Sequence, residues 1–198
     1  MNNAEFFQTK VLPLLYGWMN NEIRFYLFAD VGQVTFKYAE QGFESRENAA
    51  QCNYEKREII FNIDWLKDRF KDNDIYQIEY LIMHEIRHFY QRRVVQSYVD
   101  NDGIRIYESI DILKAWKDNF AHYIRNKGGA GKDEEAYFTQ PVEVDAVAFS
   151  YYLLLHLHPY INPKALYVNP CVMPIIAKLK PQYSYFLQIA DMNKSFYM

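Results

Sequence analysis

His84-Glu85-Ile86-Arg87-His88 joins residue types that can hold a metal ion and work beside it. On a helix, residues four apart share one face about 6 Å apart along the axis, so both imidazoles can reach one ion. Two neutral His nitrogens are good Zn²⁺ ligands, and the Glu between them can reach a metal-bound water and take its proton. Given the His and Glu content of this chain, chance produces such a pentad in roughly one chain in a hundred. The competing reading is a buried helix with two hydrogen-bonded histidines and one paired Glu.

The flanking residues set the pentad on a helix. Asp74-Ile75-Tyr76-Gln77 has the form of a capping box, with Asp74 as N-cap and Gln77 reaching back. Ile75, Ile78, Ile82, Glu85 and Phe89 make one stripe; Leu81, His84, His88, Gln91 and Val95 make the next. A helix apolar nearly all round is a buried, central one. Arg87, Arg92 and Arg93 fall on its later turns, where cations suit a helix C-terminus, and Arg92-Arg93 reads as a solvated end.

A catalytic zinc site needs a third protein ligand and an open position for water. Gln140-Pro141-Val142-Glu143-Val144-Asp145-Ala146 supplies candidates. Pro141 fits a first helical position, and Val142 to His156 continues as an apolar helix charged only at Glu143 and Asp145. A carboxylate at the start of a buried helix needs a partner, since burying it alone is expensive, and a metal is one such partner. Glu143 could instead cap the helix from its third position, with Gln140 as N-cap. Asp145 could be the ligand in its place, or could bond a ligand imidazole or fix the helix start.

The segments Leu81–Gln91 and Pro141–Phe149 resemble the core of the small gluzincin-type zinc metallopeptidases, the bacterial and phage-type group that includes the peptidases which cleave phage repressors. The resemblance covers these two helices and one strand, about a third of the chain at most by eye. It implies that His84, His88 and Glu143 are the zinc ligands and Glu85 the general base. Many relatives support the site with Asp or Asn four residues after the ligand Glu; that position here is Val147. The resemblance also implies that a strand shortly before the motif helix borders the cleft and pairs with extended substrate. Glu58-Ile59-Ile60-Phe61-Asn62-Ile63 is the strand in that place.

The elements that must position these residues are readable from composition and punctuation. The 198 residues suit one domain, 1–198, with an insertion, 97–140, between the two motif helices. Half the residues are apolar, enough for a sizeable core, and the 18 Tyr and 14 Phe supply rings for core and cleft. The net charge of −3 carries no nucleic-acid footprint, so the expected partner is a peptide or protein substrate, with neither nucleic acid nor membrane. Cys52 and Cys171 form no CxxC pair and read as free thiols in a reducing, cytoplasmic setting. No signal peptide is evident, and the longest apolar run, Ala146 to Leu157, is too short to span a bilayer.

Phe6 to Tyr16 reads as a short helix interrupted by Pro13. Ile23 to Phe28, Gln33 to Tyr38 and Arg57 to Asn62 read as strands, and Asp64 to Lys71 as a short helix. Ile110 to Ile124 is helical by periodicity. Lys127-Gly-Gly-Ala-Gly-Lys132 lacks a P-loop's ending and reads as a lid or as a segment ordered on binding. Pro159, Pro163, Pro170, Pro174 and Pro181 imply short helical pieces wrapping the core. The expected class is α+β and zincin-like: a small, mainly antiparallel sheet packed on a helical body with the motif helix at its centre. Tyr123, Tyr137 and His122 are candidates to stabilise an oxyanion, whereas His156 and His158 suit a helix C-terminal dipole. The expected chemistry is zinc-dependent peptide hydrolysis with Glu85 as base. The alternative is a zinc-containing binding or regulatory module that holds a partner strand without turnover.

Overall fold

The computed structural model describes residues 1–27, 31–43, 48–103, 106–125 and 132–194. Its axis is a 26-residue helix, α4 (Ile75–Asp100), numbered after the shorter α1 (Asn3–Phe6), α2 (Leu12–Asn21) and α3 (Ile63–Lys71). Ile78, Ile82, Met83, Ile86, Phe89, Tyr90 and Val94 are all buried, and they point in several directions round α4. The helix ends at Asn101, whose φ of 52° places it in the left-handed conformation that stops helices. The motif residues therefore sit in mid-helix, and Arg92 and Arg93 are not at its end. Arg92 lies over the rings of Tyr54 (4.0 Å) and Phe120 (4.4 Å), and Arg93 pairs with Asp102 at 3.0 Å.

The capping box at Asp74 does not form. Asp74 holds the N-cap position without a side-chain cap bond and pairs instead with Arg69 at 2.9 Å. The side-chain oxygen of Gln77 accepts from the Tyr167 backbone N–H, so it cannot reach back. An ion pair with a neighbouring helix has displaced the local motif.

Around α4 pack α5 (Ile110–Ala121), α6 (Lys132–Phe138), α7 (Pro141–Leu157) and α8 (Met173–Lys194). The insertion thus carries α5 and α6, with Ser109 capping α5 through its side chain. Helix α7 is buried on nearly every face, as an apolar run of that length requires. Helix α8 corrects the expectation of short pieces after Pro159: 22 residues run as one helix with Pro181 inside it, at an exposed position. At the N-terminus, a π-turn (Phe7–Val11) joins α1 to α2, with Leu12 N–H bonded to Phe7 O. That wider turn precedes Pro13, which has no N–H to offer a regular ladder.

The sheet is mixed, not mainly antiparallel. Strands β1 (Thr35–Ala39), β2 (Ala50–Asn53) and β3 (Glu58–Asn62) lie in the order β1-β3-β2, with β1 parallel and β2 antiparallel to β3. The run from Ile23 is a single 3₁₀ turn (Ile23–Tyr26), not a strand; its buried Ile23 and Tyr26 stand three apart, the period of that helix. Gly32 precedes β1 with φ of 73°, a left-handed conformation that favours glycine; an added Cβ would also displace the Arg57 guanidinium. The class is α+β. No helix among the described residues is long and apolar enough to cross a membrane.

Helices α4, α7 and α8 are joined by one buried polar cluster. Arg87 on α4, 4% exposed, donates to Asp145 on α7 at 2.8 and 3.2 Å and to Glu108 at 3.4 Å. Its guanidinium is boxed by Tyr90, Phe149, Trp116 and Phe186, with ring centroids 4.3 to 5.9 Å away. Tyr183 on α8 donates to Asp145 at 2.5 Å. Removing one partner of a buried pair strands the other's charge. Arg87→Met is therefore expected to lower unfolding free energy by about 3–5 kcal/mol. Urea denaturation measures it, and a loss near zero would mean that Arg87 is not what holds these helices together.

Candidate metal centre

Helix α4 presents His84 and His88 one turn apart, and the first turn of α7 brings Glu143 against them. The two Nε2 atoms lie 3.0 Å apart; Glu143 Oε2 is 3.3 Å from His84 Nε2, and Oε1 is 3.4 Å from His88 Nε2. One ligand atom from each residue lies within 4.8 Å of the other two. Glu143 is fully buried and His88 nearly so, while His84 is part-exposed toward a cavity.

The ring orientation of His88 is fixed from behind. Gln91, three residues on, donates its Nε2 hydrogens to Val142 O (2.9 Å) and Asp145 Oδ2 (2.7 Å). Both of those atoms only accept, so the amide oxygen faces His88 Nδ1 at 2.8 Å, and Nδ1 must carry the hydrogen. In the neutral ring Nε2 is then bare and aimed at His84 and Glu143, the tautomer a metal ligand needs.

The electrostatics suit a cation. Burial would raise the Glu143 pKa, yet the charge of His88 and hydrogen bonds from both rings hold it well below the usual carboxylate range. Burial would lower that of His88, but Glu143 outweighs it and pushes the ring up to about 9. Glu143 Oε1 accepts from the Tyr123 hydroxyl at 2.5 Å; Oε2 is buried without a hydrogen-bond partner. A buried carboxylate whose two oxygens each face an imidazole nitrogen matches the donor set of a three-ligand zinc site. Among the described residues, no fourth His, Cys, Asp or Glu completes this group.

Glu85 points to the cavity side. One of its oxygens accepts from the Cys52 thiol on β2 at 2.7 Å. Burial, then the neighbouring Glu85, pushes the Cys52 pKa well up, so it stays a thiol. The cavity, about 670 Å³, is lined by His84, Glu85, Cys52, Tyr123, Tyr137 and Arg92 among others. Tyr123 and Tyr137 lie with ring centroids 6.2 Å apart, and burial followed by Glu143 raises both phenols, which remain donors. His122 is placed elsewhere: it is exposed, its Nδ1 is bonded to Asp118 O, and it does not line the cavity. His156 and His158, expected to answer a helix dipole, pair with Asp191 and Glu79, each at 2.9 Å.

Two other expectations meet the geometry here. Strand β3 lies between β1 and β2, so both its edges are taken; the strand bordering the cavity is β2. Strand β2 escaped notice because Ala50-Gln-Cys-Asn53 has neither alternation nor β-branched residues. The segment read as a lid, Lys127 to Lys132, falls almost wholly outside the described residues; Tyr123 and Tyr137 on either side of it line the cavity.

Asp145 does not face the metal group. It lies two residues from Glu143, roughly 200° round the helix, and backs Gln91 from behind. Val147, where the resemblance calls for a supporting Asp or Asn, is buried and apolar, and Gln91 backs His88 from the His helix itself. Gln91, Arg87, Cys52 and Tyr183 were not foreseen as parts of this arrangement. Only Gln91 gave a signal, its place on the stripe of His84 and His88.

No family model matches the chain, and no curated protein or solved structure is detectably similar to it.

Zinc affinity in three variants reads these roles apart. Glu143→Ala is expected to weaken binding strongly, whereas Gln91→Ala and Asp145→Ala weaken it about 10–100-fold, the range for groups that only orient a ligand. If Glu143 were merely a helix cap, Glu143→Ala would cost about 1 kcal/mol of stability and leave zinc binding intact. Calorimetric titration with thermal denaturation distinguishes the outcomes.

Proposed function

We propose that this chain is a zinc-dependent hydrolase of peptide bonds with a zincin-like arrangement of its site. One observation carries the reading. His84, His88 and Glu143 converge on one point, with Glu143 Oε2 buried 3.3 Å from His84 Nε2 and otherwise without a hydrogen bond, and Glu85 lines the cavity that opens beside His84. His84, His88 and Glu143 would hold the ion. Zinc bound by such a set supplies a Lewis acid that brings the pKa of a water toward neutrality and polarises a carbonyl oxygen.

The remaining work falls to the chain's own groups. Glu85 removes the proton of the attacking water and passes it to the leaving nitrogen. Its hold on Cys52 is no obstacle, because a thiol is a weak donor that water can displace. Tyr123 and Tyr137 line the cavity as phenols; Tyr123 now donates to Glu143 Oε1, and either would serve negative charge growing on the carbonyl oxygen by turning its proton to it. Extended substrate fits along β2, which pairs with β3 on one side and has no strand partner on the other among the described residues. The aromatic and polar lining of the cavity offers apolar side-chain contact with polar tips for the backbone.

A three-ligand set beside a cavity favours turnover over a closed, purely structural zinc site, which would use four protein ligands. The test is Glu85→Gln. It is expected to keep zinc at wild-type affinity and to lower cleavage of an unfolded protein substrate by at least about 100-fold. Full activity in Glu85→Gln, or none in the zinc-loaded wild type across a broad peptide library, would overturn the proposal.

A further inference from the structure

Three groups on different elements meet at the far end of α4. Glu22 ends α2, Glu79 lies in the early turns of α4, and His158 caps α7. Each offers a ligand atom, and these atoms lie within 4.8 Å of one another. Glu79 precedes His84 by five residues, which places it about 140° round the helix from that ring, on another face. The two clusters therefore share α4 and α7 but no side chain.

Glu79 is 1% exposed. One of its oxygens meets His158 Nε2 at 2.9 Å; the other is buried and has no hydrogen-bond partner. Glu22 is the acidic neighbour. Burial first, and then Glu22 by charge and by contact, raise the Glu79 pKa against the opposing pull of His158. A carboxylate taken out of water next to a second carboxylate takes up either a proton, as its raised pKa allows, or a cation, and the imidazole answers only one of its oxygens. The ring of Tyr76, 4.9 Å from that of His158, closes one side of the group.

We propose that Glu22, Glu79 and His158 form a second metal site that takes a divalent first-row transition ion. Two carboxylates and one imidazole are the donor set that such ions accept, and the imidazole disfavours Mg²⁺ and Ca²⁺, which prefer oxygen alone. The ion has a structural consequence. It ties the end of α2 and the C-terminus of α7 to α4, and so helps set how α7 lies against α4 at its other end, where Glu143 meets the histidines. The site does not depend on the hydrolase reading.

The experiment is titration of metal-stripped protein with Zn²⁺ by calorimetry, in the wild type, in a His84→Ala/His88→Ala variant, and in Glu22→Gln and His158→Ala. The wild type is expected to bind two equivalents and the double His variant one. Glu22→Gln and His158→Ala should each lose one equivalent, with affinity there at least 100-fold weaker, and addition of Mg²⁺ or Ca²⁺ should not displace the zinc. Glu22 is part-exposed, so Glu22→Gln guards against a variant that merely misfolds. A double His variant that binds no zinc while remaining helical by circular dichroism overturns the proposal, as does an unchanged stoichiometry in Glu22→Gln. A wild type that binds a single equivalent, kept in the double His variant and lost in Glu22→Gln, supports this site and removes the one at His84.

Discussion

Asp145 is the group on which the arrangement of the helices turns. It receives two hydrogen bonds from Arg87, one from Gln91 and one from Tyr183. Those donors come from α4 and α8, so one carboxylate on α7 is held from two directions. A buried charge tolerates little misplacement, because each lost donor costs desolvation without return. Helix α7 is consequently fixed in depth and in rotation. Glu143, two residues earlier on the same helix, is carried to one place against His84 and His88. The polar cluster thus positions the site, and Gln91 links the two by joining Asp145 to His88.

The site itself is an electrostatic problem that the fold leaves partly open. Burial of Glu143 is offset by two imidazoles and a phenol, yet Oε2 has no hydrogen bond, only the His84 ring 3.3 Å away. Hydrophobic packing cannot supply the missing interaction. The apolar core round it only lowers the dielectric and sharpens the need. A closed network would have placed a donor there. Natural cores satisfy nearly all buried polar atoms, and the exception at the meeting point of three ligand-type residues is the one the proposed ion would answer.

Part of this could be read from sequence because it is local. The helical spacing of His84 and His88, the apolar periodicity of α4 and α7, and Pro141 at a helix start are all properties of short windows. The carboxylate at Glu143 stood out because it interrupts an apolar run. What was not legible is pairing across the chain. Arg87 and Asp145 are separated by 58 residues, Cys52 and Glu85 by 33. Nothing in either neighbourhood announces the partner. Arg87 looked like a helix-end cation because arginines are usually solvated, and it is buried because a carboxylate and four rings converge on it. The runs Gln33–Tyr38 and Arg57–Asn62 do form β1 and β3, but the other strand reading failed, and β2 was missed, for a related reason. β2 has weak intrinsic preference and exists because β3 offers it an edge. Ile23 to Tyr26 has strong β preference, yet packs as a single turn against the core. Pro181 was read as a stop, but its exposed position let α8 continue through it.

The position of β2 also bears on how Glu85 is kept ready. With β3 enclosed by both neighbours, β2 alone carries side chains toward the cavity, and the one opposite Glu85 is a cysteine. A lysine or arginine there would neutralise the carboxylate and hold it in a charge-assisted bond. A serine would compete more strongly as donor and acceptor. An apolar residue would leave a half-buried carboxylate oxygen dry. The thiol does none of these things: burial and the carboxylate keep it protonated, so it adds no charge, and its hydrogen bond is weak. For a group proposed to accept a proton from water and give it up again, a neutral, displaceable partner preserves basicity while fixing the rotamer. The edge strand therefore serves two ends of the proposed reaction, a rail for extended substrate and a light hold on the base.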